Sequence, residues 1–228
     1  MPTFLAPDRK TLRGATRTAP EEATLVVFAK APQPGRVKTR LVPLLGERGA
    51  ARLHARMIES TLQVAREARF ARVELHCAPD ARHPLFGRLA RRHSVTLRVQ
   101  ARGDLGARML ASCKRALRAA NAVVLIGTDC PVLRPADLRA AERVLGEGTD
   151  AVLAPAEDGG YALIGLRRVS PRLFSRIEWG GDSVLPETRR RLRALGWRWR
   201  ELRTVWDVDR PHDYRRLARL RMGRYFIE

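Results

Sequence analysis

Two acidic motifs in this chain have the residue types of a metal or acid–base site, and each follows an apolar segment. Asp129 stands in GTDCP after the most apolar run of the chain, and Glu157 and Asp158 stand in PAEDGGY after a second run. An unpaired buried carboxylate is costly, and a divalent cation with oxygen ligands is a suitable partner. Asp129 is therefore a candidate catalytic metal ligand, with a turn or helix cap as the alternative.

Glu157 and Asp158 are candidate catalytic acid–base or acceptor-binding groups. A hairpin turn is the alternative for this motif, because Asp-Gly strongly favours turns. The candidate substrate-binding residues beside the two acidic motifs are Thr128, Gly159, Gly160 and Tyr161.

A third acidic motif, WDVDRPHD, places Asp207 and Asp209 two positions apart near the end of the chain. In an extended segment both side chains lie on one face. Either carboxylate could then complete a metal site with Asp129. The alternative is that Asp209 caps a helix that starts at Pro211.

A basic, proline-bracketed loop, FAKAPQPGRVKTRL at residues 28–41, follows the first apolar run. Ligands bind at the carboxyl ends of strands in open α/β sheets, and a flexible cationic loop there can cradle phosphates. A solvated basic loop is the alternative. The candidate phosphate-binding residues are Lys30, Gly35, Arg36, Lys38, Thr39 and Arg40.

The motif GDLGARM carries a weaker signal of the same kind. Arg108 could bind a phosphate, and Asp104 could hold a ribose or cap the helix that follows it.

Apolar runs alternate with segments of helical periodicity, which predicts a mainly parallel sheet covered by helices on both faces. The predicted strands cover residues 24–29, 73–78, 95–99, 122–127, 150–155, 161–166 and 197–202. The predicted helices cover residues 46–68, 83–92, 104–119, a segment after 135, 182–194 and 211–222. Residues 1–22 are polar and basic and are predicted to form a flexible tail, and residues 23–228 are predicted to form one α/β domain.

The composition excludes several classes of protein. No run approaches the roughly 20 apolar residues of a membrane span, and the tail lacks the apolar core of a signal peptide, so we expect a cytoplasmic protein without membrane insertion. Cys77, Cys113 and Cys130 form no zinc motif. The net charge of +20 comes almost wholly from arginine. It keeps a basic nucleic-acid-binding protein as a remote alternative, although no recognition motif supports specific nucleic-acid binding.

Five stretches together resemble a bacterial family of glycosyltransferase-A-like (GT-A) proteins, described as nucleotide-diphospho-sugar transferases and in some cases as arsenosugar-biosynthesis glycosyltransferases. The stretches are FAKAPQPGRVKTRL, QARGDLGARM, VVLIGTDCPVL, APAEDGGYALIGL and WDVDRPHDY, within residues 24–220. The resemblance implies a single Rossmann-like domain that uses a nucleotide-diphosphate sugar donor, an unknown acceptor, and Mg²⁺ or Mn²⁺. By this resemblance Asp129 binds the metal, residues 30–40 contact the diphosphate, and Asp209, with Asp207, supplies the second carboxylate.

The mechanism that follows is metal-assisted glycosyl transfer. The main alternative is nucleotidyl transfer on the same fold, because the KTRL segment at residues 38–41 also resembles guanylyltransferases that act on phospholactate. Neither the stereochemistry nor the oligomeric state follows from the sequence.

Overall fold

The structure is a computed structural model that describes residues 23–220. The predicted tail at residues 1–22 and the end of the last predicted helix lie outside the described residues. The strands are β1 (Ala23–Lys30), β2 (Arg72–Ala78), β3 (Thr96–Val99), β4 (Ala122–Ile126), β5 (Ala151–Pro155), β6 (Tyr161–Leu166) and β7 (Trp199–Glu201). The helices are α1 (Val42–Ala68), α2 (Pro84–His93), α3 (Leu105–Ala116), α4 (Pro135–Gly146), α5 (Pro171–Phe174), α6 (Val184–Ala194) and α7 (Pro211–Ala218).

The strands form one sheet in the order β3-β2-β1-β4-β6-β5-β7. Strands β1 to β4 pair in parallel, and β6 runs antiparallel to both β4 and β5. The predicted α/β class with a mainly parallel sheet is confirmed. Because β5 points the same way as β4, the carboxyl ends of β1, β4 and β5 meet at one edge of the sheet.

Alternating side chains of β1 supply both layers of the core. Leu25 and Val27 pack on the face covered by α1, α2 and α4, whereas Val26 and Phe28 pack on the face covered by α3, α5 and α6. Every residue of β1 except Lys30 is buried, which explains its continuous apolar run. The sheet is therefore covered on both faces, as predicted.

A third apolar cluster fixes the late acidic motif. Trp206 and Val208 pack with Leu41 and Met57 near α1 and with Leu217 of α7. This packing brings the segment between β7 and α7 back to the carboxyl edge of the sheet. Within residues 23–220, no helix is long and apolar enough to cross a bilayer.

The predicted element bounds differ from the structure in a few places. Helix α3 ends at Ala116 instead of 119, because the chain continues in tight turns, with the Ala119 amide bonded to the Ala116 carbonyl. Strand β7 is confined to Trp199–Glu201. Helix α5 was not predicted, since four residues are too few to show a helical period.

Candidate active site

Asp129 lies just beyond the end of β4 and binds a lysine of the loop after β1. Lys38 Nζ lies 2.7 Å from Asp129 Oδ1 and also donates to the Val208 carbonyl oxygen at 2.6 Å. The Lys38 side chain is only 5% exposed, whereas that of Asp129 is 52% exposed. The carboxylate of Asp129 is thus open to solvent, whereas its counter-ion Lys38 is buried.

Charge determines the ionisation of Asp129. Partial desolvation of the carboxyl opposes ionisation, but the charge of Lys38 and its hydrogen bond hold the pKa of Asp129 below its usual range. Asp129 is therefore ionised at neutral pH and available to a cation.

His54 of α1 is a member of this site that the sequence did not reveal. Its Nδ1 lies 3.8 Å from Asp129 Oδ1, and its Nε2 lies 3.0 Å from the Lys30 carbonyl oxygen. Burial lowers the pKa of His54 and outweighs the opposing effect of Asp129. A neutral ring in this position packs α1 against both the end of β1 and the Asp129 loop.

The other loop cations have different environments. Lys30 Nζ donates to the Arg36 carbonyl oxygen at 2.7 Å and so closes the loop on itself. Arg40 forms an ion pair with Asp209. Arg36 and Thr39 are exposed, and Gly35 adopts a positive φ of 72°. The loop therefore offers Arg36 to a ligand, while Lys38 and Arg40 already contact carboxylates.

The late motif places its two acidic residues in different environments. Val208 is fully buried, and its amide donates to the Asp129 carbonyl oxygen at 2.8 Å. Burial, and then the nearby charges of Asp158 and Asp129, raise the pKa of Asp207 to about 6. Asp209 instead pairs with Arg40, and Asp213 accepts the Asp209 and Arg210 amides at the start of α7. Asp209 is therefore not the helix cap of the alternative prediction.

The turn between β5 and β6 brings Asp158 to the same edge. Asp158 Oδ1 accepts the Gly160 amide at 2.9 Å, which is the predicted turn chemistry. Glu157 pairs with Arg216 of α7 at 2.7 Å, and this hydrogen bond lowers the pKa of Glu157. Asp158, and not Glu157, is therefore the acidic residue of this turn that lies near Asp207.

The remaining residues of this turn have structural contacts. Gly159 has φ of 87°, and a Cβ there would lie 2.4 Å from Asp182 Cα, so the close approach that it permits is to the protein's own backbone. Burial raises the pKa of the Tyr161 phenol, and a hydrogen bond with the Thr188 side chain of α6 opposes this shift. Thr128 is buried beside Asp129.

The segment after β3 connects to β1 and β2 through side-chain hydrogen bonds. Asp104 caps α3, accepting the Ala107 amide at 2.7 Å, which is one of its two predicted roles. Arg108 donates to Gln100 Oε1 at 3.1 Å, and Gln100 donates to the carbonyl oxygens of His76 and Ala29 at 2.8 and 3.3 Å. Arg108 is thereby held near the carboxyl ends of β1 and β2.

The carboxylates at this edge have the chemistry of a divalent-cation site. Burial and the nearby charges of Asp158 and Asp129 raise the pKa of the Asp207 carboxyl, and carboxylate oxygens are hard donors of the kind that suit Mg²⁺ or Mn²⁺. Within residues 23–220, no three acidic, histidine or cysteine side chains form a ready-made metal cage.

By its overall similarity to solved structures, the protein has a GT-A-like α/β fold of the type found in nucleotide-diphospho-sugar transferases and nucleotidyltransferases. The chain belongs to the family described as "Uncharacterized protein conserved in bacteria (DUF2064)", whose sequence profile matches residues 61–181. Comparison with curated proteins gave no match.

Solved structures of three similar proteins illustrate this fold. A Desulfovibrio desulfuricans protein, provisionally assigned as a nucleotide-diphospho-sugar transferase, is 31% identical over 90% of this chain and 91% of its own, with a TM-score of 0.78. Glucosyl-3-phosphoglycerate synthase from Mycobacterium tuberculosis, solved with Mn²⁺ and UDP, is 14% identical over 90% and 76%, with a TM-score of 0.51. A nucleotidyl transferase from Methanothermobacter is 17% identical over 90% and 98%, with a TM-score of 0.54. The latter two likenesses concern the fold alone.

Proposed function

We propose that this protein is a divalent-metal-dependent glycosyltransferase that uses a nucleotide-diphosphate sugar as donor. The observation that carries the proposal is the half-exposed Asp129, held ionised by buried Lys38, beside Asp207 and next to a basic loop. A diphosphate and its cation require this combination of negative and positive groups. The similarity to the Desulfovibrio transferase supports the same class of substrate.

The basic loop would bind the donor diphosphate. Arg36 is exposed and, among the described residues, has no acidic partner, so it can pair with a phosphate. Gly35 lets the loop backbone turn through a positive φ beside it. Lys38 would add a fixed charge from beneath, close to Asp129.

Asp129 and Asp207 would hold Mg²⁺ or Mn²⁺ together with the diphosphate. Asp207 is favoured over Asp209 as the second ligand, because Asp209 already pairs with Arg40. When bound, the cation stabilises negative charge on the departing diphosphate. A cation at these carboxylates would also relieve the repulsion that raises the pKa of Asp207.

Asp158 would orient or deprotonate the acceptor hydroxyl. It lies near Asp207 at the β5–β6 turn, and its second carboxylate oxygen is available while Oδ1 accepts the Gly160 amide. Glu157 is tied to Arg216 and would instead position the acceptor at the rim of the site.

Nucleotidyl transfer is the second candidate function, and the fold shared with the Methanothermobacter nucleotidyl transferase favours it. The two reactions release different products. Phosphorus NMR of the protein with Mn²⁺ and a panel of sugar nucleotides is expected to show free nucleoside diphosphate. Pyrophosphate released only from a nucleoside triphosphate and a phosphorylated acid would instead establish the second candidate. An Asp129→Asn preparation controls for contaminating hydrolases.

A further inference from the structure

A pocket of about 500 Å³ lies between α1 and α2, outside the site described above. One wall is formed by Pro32 and Pro34 of the basic loop. Lys38, farther along that loop, contacts Asp129. The pocket therefore shares a loop with the candidate active site without containing any of its acidic residues.

Three arginines surround this pocket: Arg48 and Arg52 on α1 and Arg88 on α2. All three are exposed, and none has an acidic partner among residues 23–220. Arg48 and Arg52 stand four residues apart on one helix face, where like charges repel each other. Arg92 of α2, by contrast, is neutralised by Glu59. Arg48, Arg52 and Arg88 thus place three unpaired positive charges around one pocket.

The rest of the lining is mostly apolar and comes from prolines, alanines and Leu85. His83 adds one polar group. Its Nδ1 accepts the Leu85 amide at 3.3 Å at the start of α2, so a neutral His83 ring carries its proton on Nε2. The pocket therefore combines an apolar floor with several hydrogen-bond donors, and the acidic side chains that would repel an anion are missing from its lining.

We propose that this pocket binds a small organic anion, a phosphate or carboxylate group attached to an apolar body. Arginine forms paired, charge-assisted hydrogen bonds to either anionic group, and the apolar floor would bury the body of the ligand. Since the pocket and the candidate active site share the basic loop, a ligand in the pocket contacts that loop at Pro32 and Pro34.

Titration with 1-naphthyl phosphate tests the proposal, because this probe joins a dianion to an apolar ring and its fluorescence reports binding. The wild-type protein is expected to bind it more tightly than either inorganic phosphate or 1-naphthol. The Arg52→Gln/Arg88→Gln double variant is expected to bind it at least about tenfold more weakly, as the loss of two charge-assisted hydrogen bonds implies. Binding of 1-naphthoate would show that carboxylates are accepted as well as phosphate esters.

The matched control is the Arg66→Gln/Arg91→Gln double variant, which removes the same charge from the same two helices outside the pocket. It should retain wild-type affinity, and circular dichroism should show that both double variants are folded. Equal weakening in both double variants would mean that net charge alone attracts the probe. Absence of binding to the wild type, or binding lost in Lys38→Met but kept in Arg52→Gln/Arg88→Gln, would also overturn the proposal.

Discussion

Lys38 links three parts of the chain, namely the loop after β1, Asp129 after β4 and the Val208 carbonyl of the late motif. It does so from a left-handed backbone conformation with φ of 48°, which costs a non-glycine residue of the order of 1 kcal/mol. The surrounding contacts must offset that cost. The nearly buried ammonium therefore both fixes the geometry of Asp129 and supplies positive charge where a diphosphate would lie.

Lys38→Met is expected to weaken binding of a nucleoside diphosphate by at least about tenfold, because a hydrogen bond to a charged group contributes roughly 1.5–3 kcal/mol. Without the ammonium, the charge that holds the pKa of Asp129 low would also be lost. Calorimetric titration in Mn²⁺ measures the affinity. Lys114→Met removes an exposed lysine of α3 and should leave it unchanged. Wild-type affinity in Lys38→Met would contradict the role given to Lys38.

The β5–β6 turn shows how one element positions the acidic edge. Gly159 is pressed against the backbone of Asp182, and its carbonyl oxygen accepts the Leu185 amide at 2.8 Å. The turn is thus clamped to the start of α6. This clamp holds Asp158 at the carboxyl edge near Asp207.

Gly159→Ala is expected to destabilise the protein by about 2–4 kcal/mol, because the new Cβ would meet Asp182 backbone atoms at 2.4 Å while φ is 87°. Gly180 is the matched control, with φ of 91° and no atom within 4 Å of an added Cβ. Gly180→Ala should cost only about 1 kcal/mol. Urea unfolding compares the two, and equal losses would show that the clamp contributes nothing.

The strands β1, β4, β5 and β6 could be predicted because each is an apolar run, whereas β3 and β7 are short and partly polar. The buried strand before Asp129 is a local signal, and that prediction is confirmed. The Asp-Gly turn at Asp158, which was the alternative for its motif, is a local signal too and is present in the structure. His54 was missed because it lies among Met57 and Ile58 on the buried face of α1, where it has the pattern of a core residue. The Glu157–Arg216 pair joins residues far apart in the chain, so no local pattern indicates it.

At the scale of the whole molecule, buried histidines connect the layers. His76 of β2 lies 2.9 Å from both Glu74 Oε2 and Ser112 Oγ of α3, and it stacks on Phe28. Burial is the largest influence on the pKa of His76, and it lowers that pKa below 6.5. The fold therefore favours a neutral ring at this position.

Stability is expected to fall as the pH drops below about 6.5. Below that pH the unfolded chain protonates this histidine, whereas folded His76 binds the proton only at a lower pH. The free energy of unfolding therefore falls by up to about 1.4 kcal/mol per pH unit. Urea unfolding at pH 8 and pH 5.5 measures the loss, which His76→Gln should reduce. Asp207, whose raised pKa acts in the opposite direction, is common to the wild type and His76→Gln, so an equal loss in these two proteins would contradict this account.

The most direct test of the metal–diphosphate site is the thermal shift caused by a nucleoside diphosphate with Mn²⁺, measured in the wild type, in Asp129→Asn and in the control Asp80→Asn. A ligand at a hundred times its Kd stabilises the native state by about 2.7 kcal/mol, which raises the Tm by a few degrees. We expect that shift in the wild type and in Asp80→Asn, and its loss in Asp129→Asn or when Mn²⁺ is chelated. An undiminished shift in Asp129→Asn, or one independent of Mn²⁺, would contradict the proposed site.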